Sequence, residues 1–251
     1  MKVVLLCAGY ATRMYPLTRD LPKALLEVAG APILSHLLAR TAVLPGVDEV
    51  VVVANRRFAP QLCAWAEGAR AAVPIRVLDD GSTDESNRLG ALGDLSFAAR
   101  EIPLAGHDAL VAAGDNLLLF ALEPLARAFA ARRAPQLAVR PAARDASRSR
   151  YNEVVADSAT GRVERFREKP PDAESEQAAI ALYFLPASTW PLLERYLAQG
   201  GNRDAPGHFI AWLVRETPVY AEPITGPWFD IGDLGSLAQA RAEARGKMGA
   251  P

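Results

Sequence analysis

The chain has 251 residues, half of them hydrophobic and 23% charged, with a formal net charge of -1. That length suffices for one large domain or two small ones with a substantial core, and the composition excludes global disorder. The near-neutral balance argues against a general nucleic-acid or membrane-surface binder, so an anion site must be built from a few local cations.

Val3–Leu6 reads as a first, buried strand. Pro32–Leu44 reads as a helix, with Ile33, Leu34, Leu37 and Leu38 on one face and Pro near its start. Glu49–Ala54 is a continuous β-branched run, the pattern of a strand buried on both faces. Phe58–Ala72 is helical, Ile75–Leu78 a third strand, Gly90–Arg100 a helix, Ala109–Ala113 a fourth strand and Leu118–Arg132 a helix. This alternation implies right-handed crossovers and a parallel sheet flanked by helices, an α/β fold.

The second half changes character. Leu137–Val139, Glu153–Val155, Val163–Arg167 and Ala179–Phe184 are short strands joined by polar turns, which predicts a more antiparallel layer. Arg140–Arg150 and 199–206 read as loops, the former mobile, and Leu234–Arg245 as a closing Ala-rich helix. No internal repeat and no clean linker are visible, so residues 1–251 read as a single domain: a core with an insertion.

Cys7 and Cys63 are far apart, in apolar surroundings and without metal spacing, so a reduced, cytoplasmic protein is expected. The apolar run at residues 2–7 is too short, and too soon followed by Arg13, Arg19, Asp20 and Lys23, for a signal peptide. No segment approaches the ~20 apolar residues of a membrane span.

Five constellations carry the chemistry. First, the opening strand empties into Ala8-Gly9-Tyr10-Ala11-Thr12-Arg13, and Pro22-Lys23 follows. Gly9, Ala11 and Thr12 allow close backbone approach to a phosphate, and Arg13 and Lys23 supply cations. An ordinary strand–turn–helix connection is the plain alternative. Only Gly9 of a GxGxxG pattern is present, and no Walker A sequence occurs. Second, Gly114-Asp115-Asn116 ends a strand, where a carboxylate suits Mg²⁺ on substrate phosphates; alone it is a common turn. Third, in Trp228-Phe229-Asp230-Ile231-Gly232-Asp233, Asp233 suits a helix N-cap, which leaves Asp230 for another task, such as sharing a metal ion with Asp115.

Fourth, Glu168-Lys169-Pro170 could place an ammonium in a cleft, although an exposed strand end with a weak ion pair is the commoner meaning. Fifth, Leu78-Asp79-Asp80-Gly81-Ser82-Thr83, continuing to Gly90, could cover a flat nucleobase; a plain β–α connection is the alternative. His36, His107 and His208 show neither metal spacing nor a catalytic arrangement, and the four tryptophans read as packing.

Together these residues resemble the sugar-1-phosphate nucleotidyltransferases (NDP-sugar pyrophosphorylases). Residues 6–18, Pro22-Lys23-Ala24-Leu25-Leu26, Gly114-Asp115-Asn116, Glu168-Lys169-Pro170 and Trp228-Phe229-Asp230-Ile231-Gly232 occur in the family's order, from residue 1 to about 240. The resemblance implies a Rossmann-like nucleotidyltransferase fold, with a nucleotide-binding core over 1–134, a β-rich sugar-phosphate part over 135–225 and a metal-ligand segment and helix over 226–251. It implies that Gly9, Ala11, Thr12 and Arg13 hold a nucleoside triphosphate with Lys23 beside its phosphates, and that Gly90 meets the base; Asp80 joins the nucleotide side. It implies Mg²⁺ on Asp115 and Asp230, and Glu168 and Lys169 on the sugar phosphate, with Asn152 nearby. Arg13, Lys23 and Lys169 are the catalytic candidates.

Three departures stand out. Ala11 replaces a usual glycine, so its backbone is expected to avoid positive φ. Cys7 replaces a common alanine. Tyr151-Asn152 stands where Tyr-Gly is usual. The implied reaction is attack of a sugar-1-phosphate oxygen on the α-phosphorus, releasing pyrophosphate; no strong base is needed because the nucleophile is already ionised. On family frequency the triphosphate is dTTP or UTP. No nucleic-acid or membrane partner is expected, and a homo-oligomer is compatible with the resemblance. Two alternatives stay open: a cytidylyltransferase acting on a non-sugar phosphate such as phosphocholine, and a non-catalytic nucleotide or sugar sensor.

Overall fold

The computed structural model describes residues 1–142 and 146–247. In chain order the elements are β1 (Lys2–Leu6), β2 (Glu27–Val28), β3 (Ala31–Pro32), α1 (Ile33–Thr41), β4 (Glu49–Ala54), α2 (Ala59–Gly68), β5 (Ile75–Asp79), α3 (Ala91–Glu101), β6 (Ala109–Ala113) and β7 (Asn116–Leu118). They continue as α4 (Glu123–Arg132), β8 (Gln136–Pro141), β9 (Asn152–Ala156), β10 (Val163–Arg167), β11 (Gln177–Leu185), α5 (Trp190–Ala198), α6 (Pro206–Glu216), β12 (Tyr220–Pro223), β13 (Trp228–Asp230) and α7 (Leu234–Lys247). The fold is mixed α/β, as the strand–helix alternation requires. No helix among the described residues is long and apolar enough to cross a membrane.

The chain forms two compact units, each assembled from separate segments: 1–88, 112–122 and 225–251 in one, 89–111 and 123–224 in the other. The sequence grouping of 1–134 as a core differs from this, since α3 and α4 belong to the second unit.

In the first unit β4 lies between β1 and β5, parallel to both, with Lys2 opposite Glu49 and Val50 opposite Ile75. Every residue of β4 is buried, and each valine from Val50 to Val53 contributes about 1.5–3 kcal/mol by leaving water. Helix α2 packs on β4 and β5. A second layer pairs β7 with β13, antiparallel, with Asp230 opposite Asn116. Leu117, Phe229, Ile231, Leu237, Ala240 and Ala244 join Met14, Leu26, Val28 and Ile33 in one apolar cluster. That cluster ties the last helix to the segment just after the opening loop.

In the second unit β11 runs antiparallel to β8 and β9, and β9 antiparallel to β10, the expected antiparallel layer. β12 adds to β8 in parallel. Helices α3, α5 and α6 pack together, and α6 lies on β10.

Three sequence expectations need correction. The helix read over Leu118–Arg132 begins only at Glu123, because Asn116–Leu118 finds a strand partner in β13. The loop read over Arg140–Arg150 is strand at its start and a 3₁₀ turn over 146–150, with 143–145 outside the described residues. Cys63 is exposed rather than in apolar surroundings, whereas Cys7 is buried.

Candidate functional site

The opening loop is anchored from below and open above. Cys7, Ala8, Tyr10 and Met14 are buried, while Gly9, Thr12 and Arg13 are exposed. Cys7 N–H donates to the Val53 carbonyl at 2.8 Å, continuing the β1–β4 ladder. Fully buried Asn55 donates through Nδ2 to the Ala8 carbonyl at 2.9 Å and accepts from Phe58 N–H at 2.9 Å. One amide thus fixes both the loop and the start of α2. Tyr10 Oη donates to Ser82 Oγ at 3.3 Å, and Ser82 N–H and Oγ both donate to Asp80 Oδ1 at 2.7 Å. Asp80 is therefore a turn-maker whose second oxygen, Oδ2, is buried without a hydrogen-bond partner. A hollow of about 330 Å³ lies beside this loop, lined by Tyr10, Thr12, Tyr15, Arg57, Thr83 and Ser86 among others.

Ala11 contradicts the expectation of negative φ. It sits at φ 50°, ψ 41°, in the left-handed region, as the N-cap of the 3₁₀ turn Thr12–Met14. A non-glycine residue there costs about 1–2 kcal/mol. The compensation is in its carbonyl, which accepts from Met14 N–H at 3.0 Å and from the fully buried Thr18 hydroxyl at 2.8 Å. The Thr18 hydroxyl, seven residues on, overrides the preference of the residue itself.

Arg13 is exposed, with no ion-pair partner among the described residues. Lys23 differs: Pro22 leads into the turn Lys23–Leu25, and Lys23 Nζ lies 2.5 Å from Asp115 Oδ2. Their side chains are 18% and 22% exposed. Gly114 delivers Asp115, since its N–H bonds the Leu6 carbonyl at 2.9 Å and a Cβ there would sit 2.2 Å from Cys7 Sγ. Asp115 Oδ1 accepts from Asn116 Nδ2 at 2.9 Å, its carbonyl accepts from Ile231 N–H at 3.1 Å, and Asn116 Oδ1 accepts from the Trp228 indole. Asp115 precedes Asn116, the partner of Asp230, so the two acids belong to the same end of the β7–β13 pair. Asp233, not Asp230, caps α7: its Oδ1 accepts from Ser236 N–H at 2.8 Å and Ser236 Oγ accepts in return from Asp233 N–H at 3.1 Å. No group of three or more His, Cys, Asp or Glu side chains suited to a metal occurs among the described residues.

The remaining candidates lie in the second unit. Gly90, at φ 79°, starts α3, and a Cβ there would lie 2.6 Å from the Arg203 carbonyl, which accepts from Leu92 N–H. Its glycine is explained by packing against the 203–204 backbone. Asn152, Glu168 and Lys169 converge across the β9–β10 pair, whose register sets Arg167 opposite Glu153. Lys169 N–H donates to Asn152 Oδ1 at 3.2 Å. Lys169 holds φ 41° just before Pro170, a strained conformation for a non-glycine residue, with its ammonium exposed. Glu168 is nearly buried and its Oε2 lacks a hydrogen-bond partner. Burial pushes its carboxyl above the ordinary range, opposed by Lys169, His208, Asn152 and the Gly207 N–H.

Sequence reasoning missed Glu153. It is buried, accepts from Arg167 Nε at 2.6 Å and from the N–H groups of Glu174 and Ser175 at 2.6 and 2.8 Å, and is held down to about 2, above all by Arg167. It clamps the strand ends that carry Asn152 and Glu168; a charged residue opposite an arginine at matched strand positions was its only sequence signal. Asn55 was missed because its loop partner is 47 residues away, and Thr18 because no local pattern marks a hydroxyl that returns seven residues to the Ala11 carbonyl. His36 Nε2 lies 2.7 Å from the Val28 carbonyl, in line with the packing role read for it.

The chain is 28% identical over 237 residues to "Probable mannose-1-phosphate guanylyltransferase 2" of Arabidopsis thaliana, covering 92% of this chain and 62% of that protein. It is 27% identical over 261 residues to "Mannose-1-phosphate guanylyltransferase regulatory subunit alpha" of Sus scrofa, covering 96% of this chain and 61% of that protein. The chain therefore spans about three fifths of the length of these relatives. A solved UDP-glucose pyrophosphorylase, in complex with UDP-glucose, superposes with a TM-score of 0.83 at 16% identity, covering 98% of both chains. A putative glucose-1-phosphate thymidylyltransferase from Bacillus anthracis gives 0.78 at 18% identity, covering 98% of this chain and 95% of that one. The family model described as "Nucleotidyl transferase" matches residues 2–246, and the chain belongs to that family.

Proposed function

We propose that the protein joins a nucleoside triphosphate to a sugar-1-phosphate, giving an NDP-sugar and pyrophosphate. The observation that carries this reading is the Lys23–Asp115 ion pair, with Asp230 opposite Asn116, in a chain of the nucleotidyl transferase family that carries the anchored loop before Arg13. A nonbridging oxygen of the sugar phosphate attacks the α-phosphorus, and the bond from that phosphorus to the β-phosphate oxygen breaks. The work is to bring two polyanions together and align them in line. The Gly9–Arg13 backbone and the unpaired Arg13 guanidinium bind the triphosphate and meet charge on the departing pyrophosphate. Lys169 holds the incoming phosphate. Glu168, buried with an unpartnered oxygen, suits a hydroxyl of the sugar better than its phosphate.

Asp115 and Asp230 fit a divalent ion such as Mg²⁺: both are hard oxygen donors at one end of the β7–β13 pair, and no third acid joins them among the described residues, so remaining positions would fall to phosphate oxygens and water. When bound, such an ion supplies Lewis-acid stabilisation of charge on the phosphates. Lys23 neutralises Asp115 in its absence.

dTTP and UTP are our first candidates; GTP joins them because relatives by sequence are named as guanylyltransferases. The test is a matrix of triphosphates against sugar-1-phosphates, with phosphocholine and CTP included, read by pyrophosphate release. Turnover with one sugar-1-phosphate supports the reading. Turnover only with phosphocholine, or no release from any pair, refutes it; the second outcome favours a sensor.

A further inference from the structure

Gly207 lies in the first turn of α6, at a position whose backbone any residue adopts. A methyl group there would nevertheless lie 1.6 Å from Glu168 Oε2, 2.9 Å from Glu168 Cδ and 2.8 Å from Asn152 Nδ2. No other atoms are as close, so the space that the missing side chain leaves is filled by the two side chains assigned to the sugar phosphate. Helix propensity disfavours glycine at such a site by about 0.5–1 kcal/mol relative to alanine. No turn geometry requires it. What the glycine provides is room at the start of a helix, where N–H groups point outward and a carboxyl group is welcome.

We propose that Gly207 is the positioning residue for Glu168: the absence of a side chain at the start of α6 lets the carboxyl lie buried beside Asn152, aimed for the sugar. This rests on the reading of Glu168 given above. The colliding atoms in Gly207→Ala belong to the ends of two flexible side chains, Glu168 and, less severely, Asn152, not to backbone. Glu168 therefore swings out toward solvent while the helix keeps its place. Lys169, His208 and Tyr183 are the other titratable groups that face the carboxyl.

The experiment compares wild type, Gly207→Ala, Glu168→Ala and the double variant. Gly207→Ala is expected to raise KM for the sugar-1-phosphate by about 10–100-fold, with triphosphate binding within about twofold. In the Glu168→Ala background it is expected to add at most about twofold, because only the Asn152 amide, 2.8 Å from the added methyl, is left to shift. Carboxyl titration of Glu168 by ¹³C NMR reports position without any turnover: eviction into water brings the pKa down toward the ordinary range. A titration unmoved by Gly207→Ala, or additive losses in the double variant, overturns the proposal. A titration that moves in protein that binds no sugar-1-phosphate supports the positioning and refutes the reading of the site.

Discussion

Lys23 and Asp115 make a pair whose removal has a predictable sign. At 2.5 Å and an effective dielectric of about 20, their gross attraction is about 6–7 kcal/mol. Desolvation cancels much of it. Removing one partner from a buried pair costs about 3–5 kcal/mol; these side chains keep 18% and 22% exposure, which brings the expected loss to about 2 kcal/mol. The ammonium also stands where a divalent ion would meet Asp115, so the same ~2 kcal/mol opposes metal entry, roughly 30-fold in Kd. Lys23→Met in nucleotide-free protein is therefore expected to lower Tm by about 4–8 °C. It is expected to bind Mn²⁺, titrated by EPR, about 10–30-fold more tightly. Saturating Mn²⁺ restores the lost Tm. Equal or weaker Mn²⁺ binding by the variant would refute the idea that Lys23 competes with the metal.

Ala11→Gly is expected to stabilise the fold by about 0.5–1 kcal/mol in urea melts, since it removes left-handed strain at some entropic cost; no gain would mean that Thr18 has removed the strain entirely. Asp115→Asn and Asp230→Asn are each expected to reduce pyrophosphate release with Mg²⁺ by about 10²–10³-fold, and full turnover in both would remove them from the site. Lys169→Ala is expected to raise KM for sugar-1-phosphate at least tenfold and leave triphosphate binding within about twofold; equal losses would contradict its assignment. For Glu153 the folded pKa, about 2, lies below its ordinary 4.5, so its stabilisation is complete above 4.5 and lost as pH falls toward 2. Melts of wild type and Glu153→Gln should converge across that window. Glu168 has the opposite sign: its raised pKa favours the fold at low pH, so wild type should lose Tm relative to Glu168→Gln as pH rises through and beyond 4.5.

The sequence was most readable where one local rule acted alone. The β-branched run Glu49–Ala54 and the strand Ala109–Ala113 have the expected ends because total burial leaves little else possible. Asp233 was legible as a cap because capping is settled within one turn. Reading failed where the deciding partner is remote. Asn116–Leu118 looks like the start of a helix until Trp228–Asp230, more than a hundred residues on, pairs with it. Ala11 fails at shorter range: it looks unfit for positive φ because no local pattern shows that the Thr18 hydroxyl, seven residues on, takes its carbonyl. Lys23 read as a phosphate ligand, and its pairing with Asp115 spans 92 residues. Residue type and order nominated the candidates; what holds each of them in place was not legible.

The division of the chain into interleaved segments sets an order of events during synthesis. The unit that carries the opening loop draws on residues 1–88, 112–122 and 225–251. Strand β7 has no partner until β13 is made, and Met14, Leu26 and Ile33 lack part of their apolar cover until α7 arrives. The second unit draws only on residues 89–111 and 123–224, so its full complement leaves the ribosome first. The nascent chain thus exposes the apolar underside of its opening loop throughout translation of the second unit, a window in which a holdase chaperone has something to grip.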